Sequence, residues 1–311
     1  MDNDHTPADH GRHQHGDSLG HQHAHHQHPA AEIDEAAAAA MMELLDLDAE
    51  VLRDHLADLV DWVHDLAAGH AGDQPVRRIL DLGAGTGTGA LALARRFTQA
   101  EVTAVDLSNQ FLDRLRDKAQ AEGLADRIHP LQADLDAGWP PVGAVDLVWA
   151  SASLHHMADP GRVLADIHAA LPPGALFALV EMDAFPRFLP EDAGVGRPGL
   201  EDRLHATRTA DLADAVPHLG ADWGPPLTRA GFTIEAERRI TVDLAPPLPA
   251  AVGRYAQLSM QRLLIGLGSR LAEDDVAALR LLVDGDAPES LLRRDDLIVH
   301  AERTVWIARW P

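Results

Sequence analysis

Cysteine is absent from the sequence, and so are long apolar runs. Without cysteine there can be no disulfide, no thiolate nucleophile and no cysteine-ligated zinc or iron–sulfur cluster. No apolar run approaches the roughly 20 residues of a membrane span, and the polar N-terminus lacks the apolar segment of a secretory signal. We therefore expect a cytoplasmic protein with no membrane partner.

Basic residues are also scarce. Lys and Arg number 26 and Asp and Glu number 49 among 311 residues, which gives a net charge of −23 with His neutral. Nucleic acids and anionic membranes are bound by clustered Lys and Arg. The charge balance therefore argues against nucleic acid as the main partner and favours a small molecule.

Histidine, in contrast, is abundant at the N-terminus, where nine of the 19 lie in the first 28 residues. Residues 1–30 have almost no large apolar side chain, which predicts a disordered tail because too little surface can be buried to offset the ordering entropy. Imidazoles one or two residues apart can bind divalent metals loosely; a tail that only aids solubility is the alternative. The candidate ligands are His21, His23, His25, His26 and His28.

Hydrophobic periodicity divides the remaining chain into three parts. Residues 31–72 predict two helices, the second capped by Asp48 and carrying one apolar face. Residues 73–183 alternate five strands with helices, which indicates a parallel, doubly wound sheet. Residues 184–311 add two more strand-like segments with helices between them. The face of the second helix consists of Leu52, Leu56, Leu59, Val63 and Leu66.

A glycine-rich turn follows the first predicted strand, in the segment 79–87 that reads ILDLGAGTG. Glycines permit positive φ angles and close approach of a ligand, and the next helix offers free N–H groups. Ligands of open α/β sheets bind at this end of the strands. The segment 85–90 also fits the dinucleotide pattern G-x-G-x-x-A. From the glycines alone, a nicotinamide cofactor and S-adenosylmethionine both stay open.

The wider pattern resembles the class I S-adenosylmethionine-dependent methyltransferases. The resemblance covers about residues 76–183. Besides the glycine-rich turn it rests on Asp106 and Asp134 after the second and third strands, on Leu-His-His-Met at 154–157 and on Pro-Pro-Gly at 172–174.

This resemblance implies the fold. We expect an α/β protein with a doubly wound, mostly parallel sheet of seven strands in the order 3-2-1-4-5-7-6, the seventh antiparallel. Residues 232–244 and 304–310 would be the sixth and seventh strands. N-terminal helices would precede the sheet, and about sixty residues between the last two strands would form a helical insertion that covers the substrate.

The resemblance also implies which residues bind S-adenosylmethionine. Asp81 and the glycines would surround its methionine portion, Asp106 would accept hydrogen bonds from both ribose hydroxyls, and Asp134 would accept one from the adenine amino group. The full predicted set is Asp81, Gly83, Ala84, Gly85, Gly87, Asp106, Leu107, Ala133, Asp134, Leu135, Ala150 and Ser151.

Acid–base candidates follow the fourth and fifth strands. A neutral imidazole of His155 or His156 could take a proton from a methyl acceptor; the alternative is that the pair only shapes its turn. We interpret Glu181 and Asp183 as solvated carboxylates at a strand end, with contact to an amine acceptor as the alternative. Tyr255, the only tyrosine, is expected to pack its helix on the core.

The sequence therefore predicts an S-adenosylmethionine-dependent methyltransferase acting on the oxygen or nitrogen of a small molecule. One alternative is a metal-binding or metal-responsive protein that uses its His-rich tail on a non-catalytic methyltransferase fold. A further alternative is an NAD-dependent oxidoreductase. The identity of the acceptor, the use of a general base and the oligomeric state are left open.

Overall fold

A seven-stranded sheet forms the centre of the protein in a computed structural model that describes residues 35–70 and 75–310. Its order is β3-β2-β1-β4-β5-β7-β6. Strands β1 to β5 run parallel, and β7 is antiparallel to both β5 and β6. This confirms the predicted fold class and strand order. The strands are β1 (Arg78–Leu82), β2 (Glu101–Asp106), β3 (Ile128–Gln132), β4 (Leu147–Ser151), β5 (Leu176–Met182), β6 (Thr233–Leu244) and β7 (Val299–Arg309).

Nine α-helices accompany the sheet within these described ranges. Two of them begin as local sequence dictates: the hydroxyl of Ser108 accepts a hydrogen bond from the N–H of Phe111 at 3.3 Å, and Asp159 accepts one from Arg162 at 3.0 Å. The helices are α1 (Glu35–Val51), α2 (Arg53–His70), α3 (Thr88–Arg96), α4 (Asn109–Ala121), α5 (Pro160–Ala170), α6 (Leu200–Leu212), α7 (Gly224–Arg229), α8 (Ala251–Leu267) and α9 (Glu273–Val283).

Apolar clusters lie on both faces of the sheet, as expected for central parallel strands. One cluster packs α2, α3 and α4 against the sheet, and Val63 of the predicted α2 face is fully buried within it. A second cluster packs α5 and α7 against the opposite face.

A third apolar cluster lies apart from these two. It joins α6, α8 and α9 to residues 188–195, to the end of β6 and to the start of β7. We call α6, α8, α9 and the loop 184–199 the cover. Because the cover has a hydrophobic core of its own, it is a packed layer of the structure.

Two predictions about element boundaries are wrong. Asp48 does not cap α2, because α1 continues through it to Val51. Its carboxylate instead accepts hydrogen bonds from the Tyr255 hydroxyl at 2.6 Å and from Arg303 at 3.0 Å. Strand β7 begins at Val299 rather than at residue 304, because eleven residues pair with β6.

Two further predictions concern the division of the chain and the candidate metal ligands. The proposed boundaries at residues 1–30, 31–72, 73–183 and 184–311 remain predictions. The candidate metal ligands His21, His23, His25, His26 and His28 lie outside the described residues. Within the described ranges no three His, Asp or Glu side chains come together as a metal site, and no helix there is long and apolar enough to cross a bilayer.

Candidate functional site

A cavity of about 690 Å³ lies at the carboxyl ends of the central strands. Its floor contains residues at or just after the ends of β1, β2 and β4, including Asp81, Asp106 and Ser151. Side chains of α1, of the cover and of β7 complete its wall. One space therefore reaches from the glycine-rich turn to the helices of the cover.

At Gly85 the glycine-rich turn exposes its main chain to this cavity, with no side chain in between. Its φ is +54°, in the left-handed region that favours glycine. A Cβ there would meet only Leu45 of α1, at 3.5 Å. At Gly83, in contrast, a Cβ would lie 2.4 Å from the Cβ of Ser153. Gly83 therefore lets two loops pack closely, whereas Gly85 leaves room for a ligand.

Ten of the twelve predicted cofactor residues line the cavity, and Gly87 and Ala150 do not. A Cβ on Gly87 would lie 2.1 Å from Leu115, so this glycine allows α4 to pack against the start of α3. Ala150 is fully buried in β4. Both residues therefore have a packing role in the structure, and cofactor contact by any member of the set stays a prediction.

Asp81 is a buried carboxylate, 2% exposed, that lines the cavity. Among the described residues its Oδ2 has no hydrogen-bond partner, and neither has the buried Nε1 of Trp149. A Cβ on Gly89 would lie 2.9 Å from that Oδ2, so a larger residue at 89 would crowd it. Burial raises the pKa of Asp81 to about 7. An unpaired carboxylate oxygen beside a cavity fits the ammonium group of a methionine-like ligand.

Two backbone hydrogen bonds orient the carboxylate of Asp106 at the end of β2. Its Oδ2 accepts a hydrogen bond from the N–H of Gly85 and its Oδ1 accepts one from Ser108, both at 2.8 Å. Each carboxylate oxygen can accept a second hydrogen bond, so the group retains capacity for two hydroxyls. Asp134 lies after β3 on the same wall, and its Oδ1 accepts from the N–H of Asp136 at 2.9 Å.

His155 and Glu181 form a buried pair, each 2% exposed. The Nδ1 of His155 lies 2.5 Å from Oε2 of Glu181. Oε1 of the same carboxylate accepts from the N–H groups of Ser153 at 3.3 Å and Leu154 at 2.9 Å. The interpretation of Glu181 as a solvated strand-end carboxylate is therefore wrong. Asp183 is also engaged, since the Thr304 hydroxyl donates to it at 2.8 Å.

His156 lies against His155, with ring centroids 4.1 Å apart, and both rings line the cavity. Burial and the neighbouring His155 lower the pKa of His156. Its imidazole is therefore neutral at pH 7.

Helix α1 forms part of the cavity wall and is tied to both sides of it. On one side Asp46 accepts a hydrogen bond from the Thr86 hydroxyl at 2.8 Å and pairs with Lys118 and Arg114 of α4. On the other side Asp48 binds Tyr255 and Arg303. Tyr255 is buried in the core of the cover, as predicted, and also lines the cavity.

Sequence reasoning missed three arginines of the cavity wall, namely Arg208, Arg262 and Arg303. They lie on α6, α8 and β7, outside the segment that carried the resemblance. No spacing marks them in the sequence, because their shared position depends on how three distant elements pack.

Comparison with known proteins agrees with this arrangement. Residues 79–174 match a family described as a methyltransferase domain. The chain contains a methyltransferase domain. The match confirms the predicted relation to the class I S-adenosylmethionine-dependent methyltransferases, whose cofactor is S-adenosylmethionine.

Two bacterial methyltransferases are among the proteins to which the chain is similar. A malonyl-acyl carrier protein O-methyltransferase of Laribacter hongkongensis is 32% identical over 162 residues, 50% of this chain and 50% of that enzyme. A 27-O-demethylrifamycin SV methyltransferase of Amycolatopsis mediterranei is 26% identical over 220 residues, 70% of this chain and 75% of that one. The chain thus spans about half the length of the first of these relatives.

A solved structure of geranyl diphosphate methyltransferase with bound S-adenosylmethionine is similar with a TM-score of 0.45 and 15% identity. The similarity covers 91% of this chain and 93% of that one.

Proposed function

We propose that the protein transfers a methyl group from S-adenosylmethionine to a small-molecule acceptor. The observation that carries this proposal is the single cavity that joins the glycine-rich turn of the methyltransferase domain to the side chains of the cover. A relative named for its action on demethylrifamycin SV supports a small acceptor. The net charge of −23 is unfavourable for a nucleic acid.

The residues of the floor suit the parts of this cofactor. Asp81 would hold the ammonium group, Asp106 the ribose hydroxyls and Asp134 the adenine amino group. When bound, S-adenosylmethionine supplies an electrophilic methyl group on a sulfonium centre. The work of the protein is then to orient the two reactants and to exclude water.

His155 is our candidate for the general base. Glu181 accepts two backbone hydrogen bonds and therefore behaves as an ionised acceptor, so the proton between the two side chains belongs on Nδ1 of His155. Nε2 then carries a lone pair and makes no hydrogen bond within the described residues. That nitrogen would accept the proton of a hydroxyl or amine acceptor. Glu181 acts as a positioning residue, because it fixes the tautomer and the orientation of the ring.

The cover would contribute to catalysis mainly by positioning the acceptor against the cofactor. Orienting two reactants in a closed site can lower a barrier by about 7–11 kcal/mol. Methyl transfer by direct displacement depends on alignment more than on covalent help from the protein. A cavity bounded by α1 and by the cover provides both the enclosure and the apolar surface for an acceptor.

Titration calorimetry with three ligands tests this function. We expect S-adenosylmethionine and its demethylated product, S-adenosylhomocysteine, each to bind at one site per chain, and NAD to give no saturable heat. The Asp106→Ala variant should lose about 1.5–3 kcal/mol of binding free energy because charge-assisted hydrogen bonds are removed. Asp113→Ala is the matched control, since Asp113 is an exposed carboxylate of α4 whose ion pair in the described part of the chain is with Arg116 alone.

Binding of NAD without a response to the other two ligands would instead favour the oxidoreductase alternative. Equal affinities for the Asp106 variant and the wild type would show that the ribose does not lie at Asp106.

A further inference from the structure

Two arginines of the cavity wall, Arg208 of α6 and Arg262 of α8, have no anionic partner in the described part of the chain. Both are partly buried and both line the cavity. Within residues 35–70 and 75–310, neither makes a hydrogen bond or an ion pair with the protein. Other arginines around the cover are paired. Arg254 binds Glu43 at 2.7 Å, Arg203 binds Asp275 at 2.8 Å, and Arg303 binds Asp48 at 3.0 Å.

The side chain of Arg208 is held in place by an aromatic ring. Its guanidinium carbon lies 3.2 Å from the ring centroid of Phe185 in the cover, which is cation–π geometry. Burial and the neighbouring charge of Arg262 lower the pKa of Arg208 to about 10. Burial also lowers the pKa of Arg262. Both groups are charged at pH 7, so two positive charges lie near each other and are partly removed from water.

No carboxylate of the cavity wall is available to neutralise these charges. Asp48 is engaged with Tyr255 and Arg303. Glu201 accepts hydrogen bonds from the N–H groups of Phe188 and Leu189 at 2.9 Å and 2.8 Å. The remaining carboxylates of the cavity lie in or just after β1, β2 and β3, on the side assigned to the cofactor; they are Asp81, Asp106, Asp134 and Asp136. Because buried charges are costly unless they are paired, the missing anion is expected to come with a ligand.

We propose that Arg208 and Arg262 bind an anionic group of the methyl acceptor, so that the acceptor is a small molecule with a carboxylate or phosphate group. Guanidinium groups bind both of these anions through two parallel hydrogen bonds. The cover also lines the cavity with Phe185, Leu212, Met260 and Leu263, which suit an apolar body on the acceptor. This assignment rests on the proposed function, since the site adjoins the cofactor residues in one cavity.

Simple amphiphiles test the assignment. The whole 311-residue chain is saturated with S-adenosylhomocysteine and titrated by calorimetry with octanoate, octyl phosphate and octan-1-ol. We expect both anions to bind and octan-1-ol to bind at least about tenfold more weakly, because the alcohol offers no charge to the arginines. The tighter of the two anions identifies the class of head group, carboxylate or phosphate.

Arginine variants test whether the two anions bind at Arg208 and Arg262. Arg208→Gln and Arg262→Gln should each weaken octanoate and octyl phosphate binding about tenfold or more and leave octan-1-ol unchanged. Arg254→Gln is the matched control: it removes one positive charge from α8 at a residue that is paired with Glu43 and lies outside the cavity wall. It should keep anion affinity within about twofold. Arg262→Lys, which retains the charge, should recover part of the affinity.

The affinity for S-adenosylhomocysteine, measured on the same samples, separates the two proposals. A folded variant that keeps this affinity and loses anion binding supports the arginine site. If S-adenosylhomocysteine binds but the anions bind no better than octan-1-ol, or bind equally to the Gln variants, the anion site is wrong and the proposed function stands. If S-adenosylhomocysteine fails to bind the wild-type protein, the proposed function itself is overturned.

Discussion

At the scale of single residues, burial has made Asp81 sensitive to pH near neutrality. Its pKa is raised to about 7 because the carboxylate has been removed from water. The charged form is the one that can hold an ammonium group. Below pH 7 the free protein holds Asp81 protonated, and ligand binding must then release that proton.

We therefore expect the affinity for S-adenosylhomocysteine to fall as the pH is lowered from about 7 to about 5.5, by at most about tenfold per pH unit. Titration calorimetry over this range measures the slope. Asp81→Asn cannot ionise, so it should bind more weakly at pH 7 and show little dependence on pH. A wild-type slope that persists in this variant would assign the titration to another group.

The tautomer of His155 is a second prediction at this scale. Glu181 accepts two backbone hydrogen bonds besides its contact with Nδ1, which puts the proton of the neutral ring on Nδ1. Nitrogen-15 NMR of histidine-labelled protein distinguishes a protonated Nδ1 from a protonated Nε2. The signal of His155 is identified as the one that His155→Asn removes.

We expect the Nδ1-protonated form at pH 7 in the wild type. Glu181→Gln should weaken this preference, because a side-chain amide can offer either a donor or an acceptor to the ring. A ring already protonated on Nε2 in the wild type would leave no lone pair beside the cavity, and His155 would then have to be abandoned as the base.

At the scale of elements, α1 connects parts of the protein that are far apart in sequence. Asp46 ties it to α4 and to the glycine-rich turn, whereas Asp48 ties it to α8 and β7. Asp48 is the acidic partner of Arg303, which is partly buried beside the cavity. The proximity of Asp48 raises the pKa of Arg303.

Removal of the charge at Asp48 should therefore destabilise the fold. We expect Asp48→Asn to lower the free energy of unfolding by about 1.5–3 kcal/mol, because charged hydrogen bonds to Arg303 and Tyr255 are lost. Glu43→Gln is a matched control on the same helix, because Glu43 forms a more exposed ion pair with Arg254. This substitution should lower the free energy of unfolding by only about 0–1 kcal/mol. Urea denaturation measures both. Equal losses would mean that α1 is not anchored mainly through Asp48.

At the scale of the whole molecule, the sequence was informative where structure is determined locally. The glycine-rich turn, the caps at Ser108 and Asp159 and the apolar strands form from neighbouring residues, so the arrangement from β1 to β5 could be predicted. The position of Asp106 beside the turn follows from the parallel pairing of β1 and β2.

Long-range contacts account for what could not be predicted. From its neighbours in the sequence, Asp48 is predicted to cap a helix. In the fold its carboxylate instead accepts hydrogen bonds from Tyr255 and Arg303, which are both more than 200 residues away. Arg208 and Arg262 resemble any surface arginine in the sequence. Only the packing of α6 and α8 reveals that both lie in one cavity without an anion. The burial of Glu181 beneath His155 likewise depends on the neighbours of β5.

The link between Asp48 and Arg303 also has a consequence for synthesis of the chain, because it joins residues separated by 255 positions. On the ribosome, N-terminal segments are synthesised and emerge first. The glycine-rich turn and Asp106 are thus made long before the strand that anchors α1 beside them. The ion pair that ties α1 to Arg303 can therefore form only after translation has passed β7.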